Sequence, residues 1–272
     1  MVRLPWLTKE VRFVSNGKKK VLLVGETWVS AATHFKGFDQ FGSVTFHSGA
    51  EPLVRALEDS AFELVHMPAH QAPEKLPFDL DGLNAYDAIL LSDIGANSLL
   101  LHSDVWVNGK PVANRLKLLK QWTEAGGGLA MIGGYLSFQG IDGRARWHRT
   151  PVEAALPVEC LPYDDRLEVP EGFSAVVDAK SRHPILEGLQ GPWPILLGAN
   201  EVKVKAGEGI EVLASLPAEE GGHPLLVTGS CGKGRTLAWT SDLSPHWLPA
   251  SFYQWPGYTT LWRNALSWLT RS

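Results

Sequence analysis

The sequence predicts an α/β fold in which a mostly parallel sheet is covered by helices on both faces. Four short apolar runs, each followed by glycine or polar residues, are predicted to be buried strands at residues 20–25, 62–67, 87–92 and 128–132. Apolar residues at helical spacing lie between them, at residues 50–59 and 114–125. Strands and helices that alternate in this order are typical of parallel α/β sheets.

The second half of the chain predicts a β-hairpin and a closing helix. Strands are expected at residues 209–216, 224–228 and 235–240, with a glycine-rich turn at 229–234 between the last two. Residues 258–269 carry one apolar stripe at helical spacing, which predicts a helix. No linker or repeat divides the chain. We therefore expect a single domain over residues 1–272, with residues 1–19 as an N-terminal extension.

Composition excludes several classes of protein. The chain has 272 residues, of which 44% are hydrophobic, and a formal net charge of -4. That balance is ordinary for a globular protein and leaves no basic surplus, so nucleic acid is not an expected partner. No apolar run approaches the roughly 20 residues that span a bilayer, and no secretory signal is recognisable. We expect a soluble, cytoplasmic protein that does not bind membranes.

Several motifs resemble those of the bacterial putative glutamine amidotransferase family, a branch of the class I glutamine amidotransferase-like superfamily. They are Gly25-Glu26-Thr27-Trp28, Ser92-Asp93-Ile94-Gly95-Ala96-Asn97, residues 131–138, Asp164-Asp165-Arg166, Pro245-His246-Trp247 and the closing helix with Trp262 and Trp268. A weaker similarity, to the trehalose-utilisation protein family, rests on His183-Pro184-Ile185, Gly232-Lys233-Gly234-Arg235 and the same helix. The resemblance implies a flavodoxin-like three-layer sandwich.

The chain departs from this superfamily at the nucleophile. Class I amidotransferases carry a cysteine in the pattern Gly-x-Cys-x-Gly, on a sharp turn after a strand. Here the corresponding stretch is Gly133-Gly134-Tyr135-Leu136-Ser137. A phenol, with a pKa of about 10, is a poor substitute for a thiolate, and the two cysteines, Cys160 and Cys231, lie elsewhere. We predict that the chain lacks glutaminase activity but keeps a strained turn at Tyr135.

Polar residues follow the predicted strands, at the edge where parallel α/β sheets bind ligands. We expect them to form one small-molecule site. The predicted ligand-binding residues are Glu26, Trp28, Asp93, Asn97, Tyr135, Ser137 and His246. The alternative for single residues is structural, because Asp93 and Asn97 are suited to capping turns and Glu26 to an ion pair with an arginine.

Candidate catalytic residues are His246, Asp242 and Glu26, because a histidine beside a carboxylate can perform acid–base chemistry without a cysteine. A neighbouring carboxylate is expected to raise the pKa of His246. No metal site is predicted, since His66 and His70 have no third ligand nearby in sequence. No cofactor is predicted either: the chain has no dinucleotide-binding glycine pattern after its first strand, and residues 232–234 do not form a phosphate loop.

Three functions remain open at this stage. The first is a small-molecule-binding protein without glutaminase activity, and the second is a hydrolase or amidotransferase that uses a histidine–carboxylate pair. The third is a scaffolding subunit of a homo-oligomer. Tryptophans in predicted loops suit a sugar-binding face, a subunit interface or a cover for the ends of the sheet; they are Trp28, Trp106, Trp193, Trp247 and Trp255.

Overall fold

The computed structural model describes residues 17–272, so most of the predicted N-terminal extension lies outside the described residues. In chain order, its strands are β1 (Lys19–Gly25), β2 (Thr27–Lys36), β3 (Asp39–Ser48), β4 (Phe62–Met67), β5 (Ala88–Ser92), β6 (Gly128–Ile132), β7 (Val158–Cys160), β8 (Arg166–Phe173), β9 (Val176–Val177), β10 (Leu196–Asn200), β11 (Val202–Val204), β12 (Glu211–Ser215), β13 (Pro224–Cys231) and β14 (Gly234–Trp239). Its α-helices are α1 (Glu51–Leu57), α2 (Ala72–Lys75), α3 (Leu80–Leu83), α4 (Ala96–Leu100), α5 (Ser103–Trp106), α6 (Arg115–Ala125), α7 (Pro151–Ala155), α8 (Ala250–Tyr253) and α9 (Pro256–Thr270).

The central sheet has the strand order β4-β1-β5-β6-β14-β13-β12-β9. The first five strands are parallel, and their connections give the 2-1-3-4-5 order of flavodoxin-like folds. The last three strands continue the sheet in antiparallel pairs. The predicted α/β class with a mostly parallel sheet is therefore confirmed.

Both faces of the sheet are buried, because successive side chains of each parallel strand point to opposite faces. In β1, Val21 and Leu23 belong to the core that includes residues of α1 and α9, whereas Leu22 and Val24 belong to the core that includes residues of α6 and α7. This two-sided burial explains why the parallel strands are continuous apolar runs in the sequence.

The predicted C-terminal hairpin is present, and it is part of the main sheet. Strand β14 pairs in parallel with β6 on one side and antiparallel with β13 on the other. The turn is tighter than expected, because β13 continues to Cys231 and only Gly232 and Lys233 connect the strands, with Gly232 at φ 59°. The last helix, α9, buries the predicted apolar stripe.

A second hairpin was not predicted. Strands β2 and β3 pair with each other over ten consecutive residue pairs, from Thr27↔Ser48 to Lys36↔Asp39. Thr27 and Trp28, expected in a loop after the first strand, therefore begin a long two-stranded ribbon that is almost wholly exposed. We call residues 27–48 the ribbon.

The five loop tryptophans differ in burial. Trp193 and Trp247 are buried and pack against other aromatic rings, and Trp255 is partly buried and packs against Trp193. Trp28 and Trp106 are 44% and 73% exposed. Across residues 17–272, no helix is both long enough and apolar enough to cross a bilayer.

Candidate functional site

A cavity of about 520 Å³ lies at the carboxyl ends of β1, β5, β6 and β14. Strands β1 and β5 are neighbours, but the next parallel strand after β1 is β4 on one side of the pair, and the next after β5 is β6 on the other side. α/β sheets bind ligands at the carboxyl ends of two strands that are related in this way. The cavity is lined by Glu26, Trp28, Asp93, Tyr135, Leu136, Ile141, Arg144, Asp242, Ser244, Pro245 and His246. Five of the predicted ligand-binding residues and all three candidate catalytic residues are thus brought together.

Glu26 follows β1 directly and is almost fully buried. Its backbone has a φ of 56°, a conformation that residues other than glycine seldom adopt. The hydroxyls of Ser92 and Ser244 donate to its Oε2 and Oε1 over 2.5 and 2.7 Å. Glu26 is therefore held by two serines and not by the arginine that was the structural alternative. Burial, with further contributions from the charges of Asp242 and Asp93, raises the pKa of Glu26 to about 8.

Asp93 follows β5 and also has a positive φ, of 43°. Its Oδ1 accepts a hydrogen bond from the backbone N–H of Leu136 over 2.7 Å. Its own backbone N–H donates to Oγ of Ser137 over 3.1 Å. Burial raises the pKa of the Asp93 carboxyl group, although the hydrogen bond from Leu136 and the charge of His246 act in the opposite direction. Asp93 thus joins the ends of β5 and β6 and lines the cavity.

Tyr135 lies in the turn after β6, as predicted, but the strained backbone is at the preceding residue. Gly134 has a φ of 137°, whereas Tyr135 is not among the residues with positive φ. A Cβ on Gly133 would clash with the carbonyl oxygen of Thr240, which explains the first glycine of the pair. No helix follows this turn directly, because the next α-helix, α7, begins at Pro151. The turn therefore differs from the strand–turn–helix arrangement of a nucleophile elbow.

The phenol ring of Tyr135 is enclosed by charged and aromatic groups. The ring meets the imidazole of His246 edge to face, with centroids 4.2 Å apart. The guanidinium of Arg166 lies over the same ring, 4.9 Å from its centroid. Burial and the charge of Glu168 raise the pKa of the Tyr135 hydroxyl, so it is a neutral phenol near pH 7.

Asp242 and His246 form the predicted pair. Oδ2 of Asp242 lies 3.1 Å from Nδ1 of His246, and Asp242 is buried while the imidazole is about one-third exposed. The expected rise in the pKa of His246 is wrong. Burial lowers that pKa and outweighs the nearby charges of Glu168 and Asp93, so the imidazole is neutral near pH 7. Burial also raises the pKa of Asp242 well above its ordinary value.

Two predicted ligand-binding residues do not line the cavity. Asn97 is exposed on α4 and is not among the residues that line the cavity. Ser137 is buried, and its hydroxyl donates to the carbonyl of Ile132 while accepting the N–H of Asp93. Ser137 therefore holds the turn after β6 in place and is not presented to a ligand.

Sequence reasoning missed five of the lining residues: Leu136, Ile141, Arg144, Ser244 and Pro245. Ser244 lies between Asp242 and His246, so a prediction that included the whole segment after β14 would have found it. Ile141 and Arg144 are carried by the long irregular segment between β6 and α7, where no periodic pattern indicates which side chains face the cavity.

The other polar motifs have structural partners. Arg166 binds Asp164 through two hydrogen bonds of 3.0 and 2.8 Å, as expected for a loop ion pair. Asp165 accepts hydrogen bonds from Gln139, Gly140 and Asn200. His66 lies 2.9 Å from the carbonyl of Gly25. Over residues 17–272, no three His, Cys, Asp or Glu side chains are grouped as the ligands of a metal ion would be.

The fold and the strand-end cavity define an α/β protein of the glutamine amidotransferase-like class. Residues 20–271 match the family described as putative glutamine amidotransferase, and the chain belongs to that family. No curated protein matches the chain.

Solved structures resemble the chain over most of its length. The chain is 40% identical to the cytoplasmic protein STM1381 of Salmonella typhimurium LT2, with a TM-score of 0.86 and coverage of 92% of this chain and 99% of the other. It is 38% identical to the cytoplasmic protein STM3548 of Salmonella typhimurium, with a TM-score of 0.85 and coverage of 92% and 98%. A ThuA-like protein of Bacteroides uniformis shares the fold, with 13% identity, a TM-score of 0.58 and coverage of 96% and 94%.

Proposed function

We propose that this protein binds a small neutral molecule rich in hydroxyl groups, such as a sugar or polyol, in the strand-end cavity, and that it does not hydrolyse glutamine. The observation that carries the proposal is the convergence of two buried carboxyl groups, of Glu26 and Asp242, and the partly buried carboxyl group of Asp93 on one cavity that also has an aromatic wall.

The protonation states favour a neutral ligand. With a pKa of about 8, Glu26 is mostly protonated near pH 7, and the neutral imidazole of His246 adds no positive charge. Among the described residues that line the cavity, Arg144 is the one cation, and its guanidinium is largely exposed and paired with Asp142. The nearby guanidinium of Arg166 is paired with Asp164 behind the Tyr135 ring, so a carboxylate ligand such as glutamine would find no unpaired cation in the cavity wall. Hydroxyl groups both donate and accept hydrogen bonds, so they suit a mixture of carboxyl groups and imidazole.

The aromatic residues support the same ligand class. Trp28 and Tyr135 both line the cavity. Aromatic rings offer large apolar faces at low conformational cost, and such faces pack against the C–H faces of a sugar ring. The cavity volume of about 520 Å³ lies within the ordinary range for small-molecule sites.

Calorimetric titration with neutral sugars and polyols, beside the corresponding sugar acids and glutamine, tests the proposal. We expect a neutral member of the panel to bind, and Asp93→Asn and Trp28→Ala each to weaken it at least about tenfold. Trp106→Ala is the matched control, since it removes an exposed tryptophan that does not line the cavity. The proposal fails if only acids bind, if nothing in the panel binds, or if both cavity variants bind as the original chain does.

A second candidate is hydrolysis by the pair Asp242–His246, and the 3.1 Å contact between Oδ2 and Nδ1 favours it. A carboxylate at one ring nitrogen orients the imidazole, and Nε2, which has no hydrogen bond to residues 17–272, can then accept a proton from water. Glycosides or esters of the ligand that binds are the substrates to assay. His246→Gln should abolish turnover while retaining ligand binding; loss of both together would indicate a binding role only.

Localisation to the cytoplasm is part of the proposal. It is supported by the description of both Salmonella relatives as cytoplasmic proteins. The net charge of -4 supports a small molecule over nucleic acid as the partner.

A further inference from the structure

The ribbon has one apolar face that the rest of residues 17–272 contacts near its base, where Phe46 meets His70, and leaves largely exposed beyond it. Side chains alternate between the two faces of a strand, and directly paired residues share a face. Val29 pairs with Phe46 and Ala31 pairs with Val44, so these four residues lie on one face together with Phe35. Phe35 and Val44 are 72% and 73% exposed.

The opposite face is mixed and polar. Trp28 stacks on its partner His47, and His34 stacks on its partner Phe41. His34 also lies within hydrogen-bond distance of the hydroxyl of Ser43, 2.9 Å away. The ribbon is therefore amphipathic, with internal side-chain contacts on the polar face and exposed aliphatic and phenylalanine side chains on the apolar face.

A two-stranded hairpin is at best marginally stable in water unless it packs against something. The ribbon is nevertheless regular over ten residue pairs and ends in a two-residue turn at Gly37 and Phe38. Among the described residues it is anchored at its base, where the N–H of Ala69 donates to Oγ1 of Thr27 and Phe46 meets His70 edge to face. A partner that covers the exposed part of the apolar face would stabilise an element of this shape.

We propose that the partner is a second copy of this chain, and that the apolar faces of two ribbons pack against each other across a two-fold axis. A full aromatic side chain presents about 150–250 Å². From the exposed fractions, the apolar face and the tip at Phe38 expose roughly 700 Å². A stable interface buries about 800 Å² on each partner, so the apolar face and the tip together approach that area.

The charge distribution favours self-association over a different partner. Residues 27–48 contain two charged side chains, Lys36 and Asp39, of opposite sign and paired at the tip. The ribbon therefore carries no net charge that an oppositely charged protein, nucleic acid or lipid surface would recognise. A two-fold interface needs only a face that complements itself, and a nearly uncharged apolar face meets that condition.

Sedimentation velocity of the full chain across micromolar concentrations tests this inference. We expect a dimer, and we expect Val44→Asp to raise its dissociation constant roughly 30-fold or more, as loss of a central anchor does. Thr45→Asp is the matched control, because this neighbouring exposed residue lies on the opposite face. Phe35→Ala and Phe41→Ala give a second matched pair of the same residue type on the two faces.

A deletion variant without most of the ribbon provides a second test in case the point variants do not fold. Replacement of residues 29–46 by Asn-Gly joins the paired residues Trp28 and His47 through a favoured hairpin turn. We expect this deletion variant to be a folded monomer whose circular dichroism spectrum is that of an intact α/β domain. The inference is overturned if the wild-type protein is a monomer or if the deletion variant still forms a dimer. It is also overturned if Val44→Asp and Thr45→Asp raise the dissociation constant of the dimer equally.

Discussion

The backbone N–H of Leu136 donates a 2.7 Å hydrogen bond to Oδ1 of Asp93. In a nucleophile elbow, the N–H of the residue after the nucleophile helps to stabilise the oxyanion of the tetrahedral intermediate. In the proposed correspondence, Tyr135 takes the place of the nucleophile and Leu136 supplies that N–H. The carboxyl group of Asp93 already accepts the hydrogen bond from this N–H, so the N–H is not available to an oxyanion. The turn therefore lacks one oxyanion donor as well as the thiol.

Restoring the thiol should therefore not restore glutaminase activity. We expect the original chain and Tyr135→Cys to release no ammonia from glutamine above a blank without protein. A new thiolate would face the Asp93 carboxyl group where an oxyanion must develop, and loss of one oxyanion donor alone costs about 100- to 1000-fold in rate. Coupled detection of ammonia and glutamate checks this. Turnover by Tyr135→Cys would show that the turn still works as an elbow.

The two glycines before Tyr135 should be intolerant of side chains. Gly133→Ala would bring a Cβ against the carbonyl oxygen of Thr240, and Gly134→Ala would place one 3.0 Å from Cβ of Asp93 at a φ of 137°. We expect each to lower the free energy of unfolding by about 1–3 kcal/mol.

Urea denaturation measures this loss, and Gly95→Ala is the control. Gly95 lies nearby with an ordinary φ, and a Cβ there would meet its nearest neighbour at 3.4 Å. Alanine is a poorer N-cap than glycine but restricts the unfolded chain, so the two effects oppose each other and the stability should change by less than about 1 kcal/mol. If Gly134→Ala were equally harmless, the backbone at the end of β6 would not have the strain described.

The parallel half of the sheet was predictable because its strands are buried on both faces. Continuous apolar runs such as Phe62–Met67 and Gly128–Ile132 have strand length and end in turn residues, and the structure has strands with these bounds. The ribbon was missed because its strands are almost wholly exposed in the part of the chain that the structure describes. The sequence indicates the ribbon through alternating residues, Val29, Ala31, Thr33 and Phe35, before Gly37. This segment does not have the continuous run of apolar residues that identifies a core strand.

The site was predictable to the extent that topology determines it. Glu26, Asp93 and Tyr135 directly follow parallel strands or their terminal glycines, so the sheet itself brings them to one edge. Asn97 comes four residues after Asp93, by which point the chain has turned into α4 and moved away from the cavity. The direction of the pKa shift of His246 was not predictable, because the balance between burial and nearby charge depends on side-chain packing.

His246 should titrate below the ordinary pKa of a histidine, because burial disfavours the imidazolium. The charge of Asp93 partly offsets this, so Asp93→Asn should lower the pKa of His246 further. Titration of the histidine ring signals by NMR, assigned with His246→Gln, measures both values. Asp39→Asn, at the exposed tip of the ribbon, is a control that should leave the signal of His246 unchanged. A pKa above 6.5 would mean that nearby carboxylates dominate.

Glu26 should make stability depend on pH in a way that glutamine at the same position would not. Its pKa is about 8 in the folded chain, against an ordinary value of 4.5. Between these values the folded state holds a proton that the unfolded state has lost, so the free energy of unfolding falls as pH rises, by up to about 1.4 kcal/mol per pH unit. Glu26→Gln imitates the protonated acid and lacks this dependence.

The free energy of unfolding of Glu26→Gln minus that of the wild-type protein should therefore be near zero at pH 4.5, increase up to about pH 8 and then level off. Denaturation in urea at a series of pH values measures this difference, in which the contributions of groups that do not interact with Glu26 cancel. Glu219→Gln, at an exposed position, is the control and should give a flat difference. If the curve for Glu26→Gln ran parallel to that of the original chain, Glu26 would be ionised in the folded protein. The two serine hydroxyls would then stabilise a buried carboxylate, and the cavity would favour a cationic ligand over a neutral one.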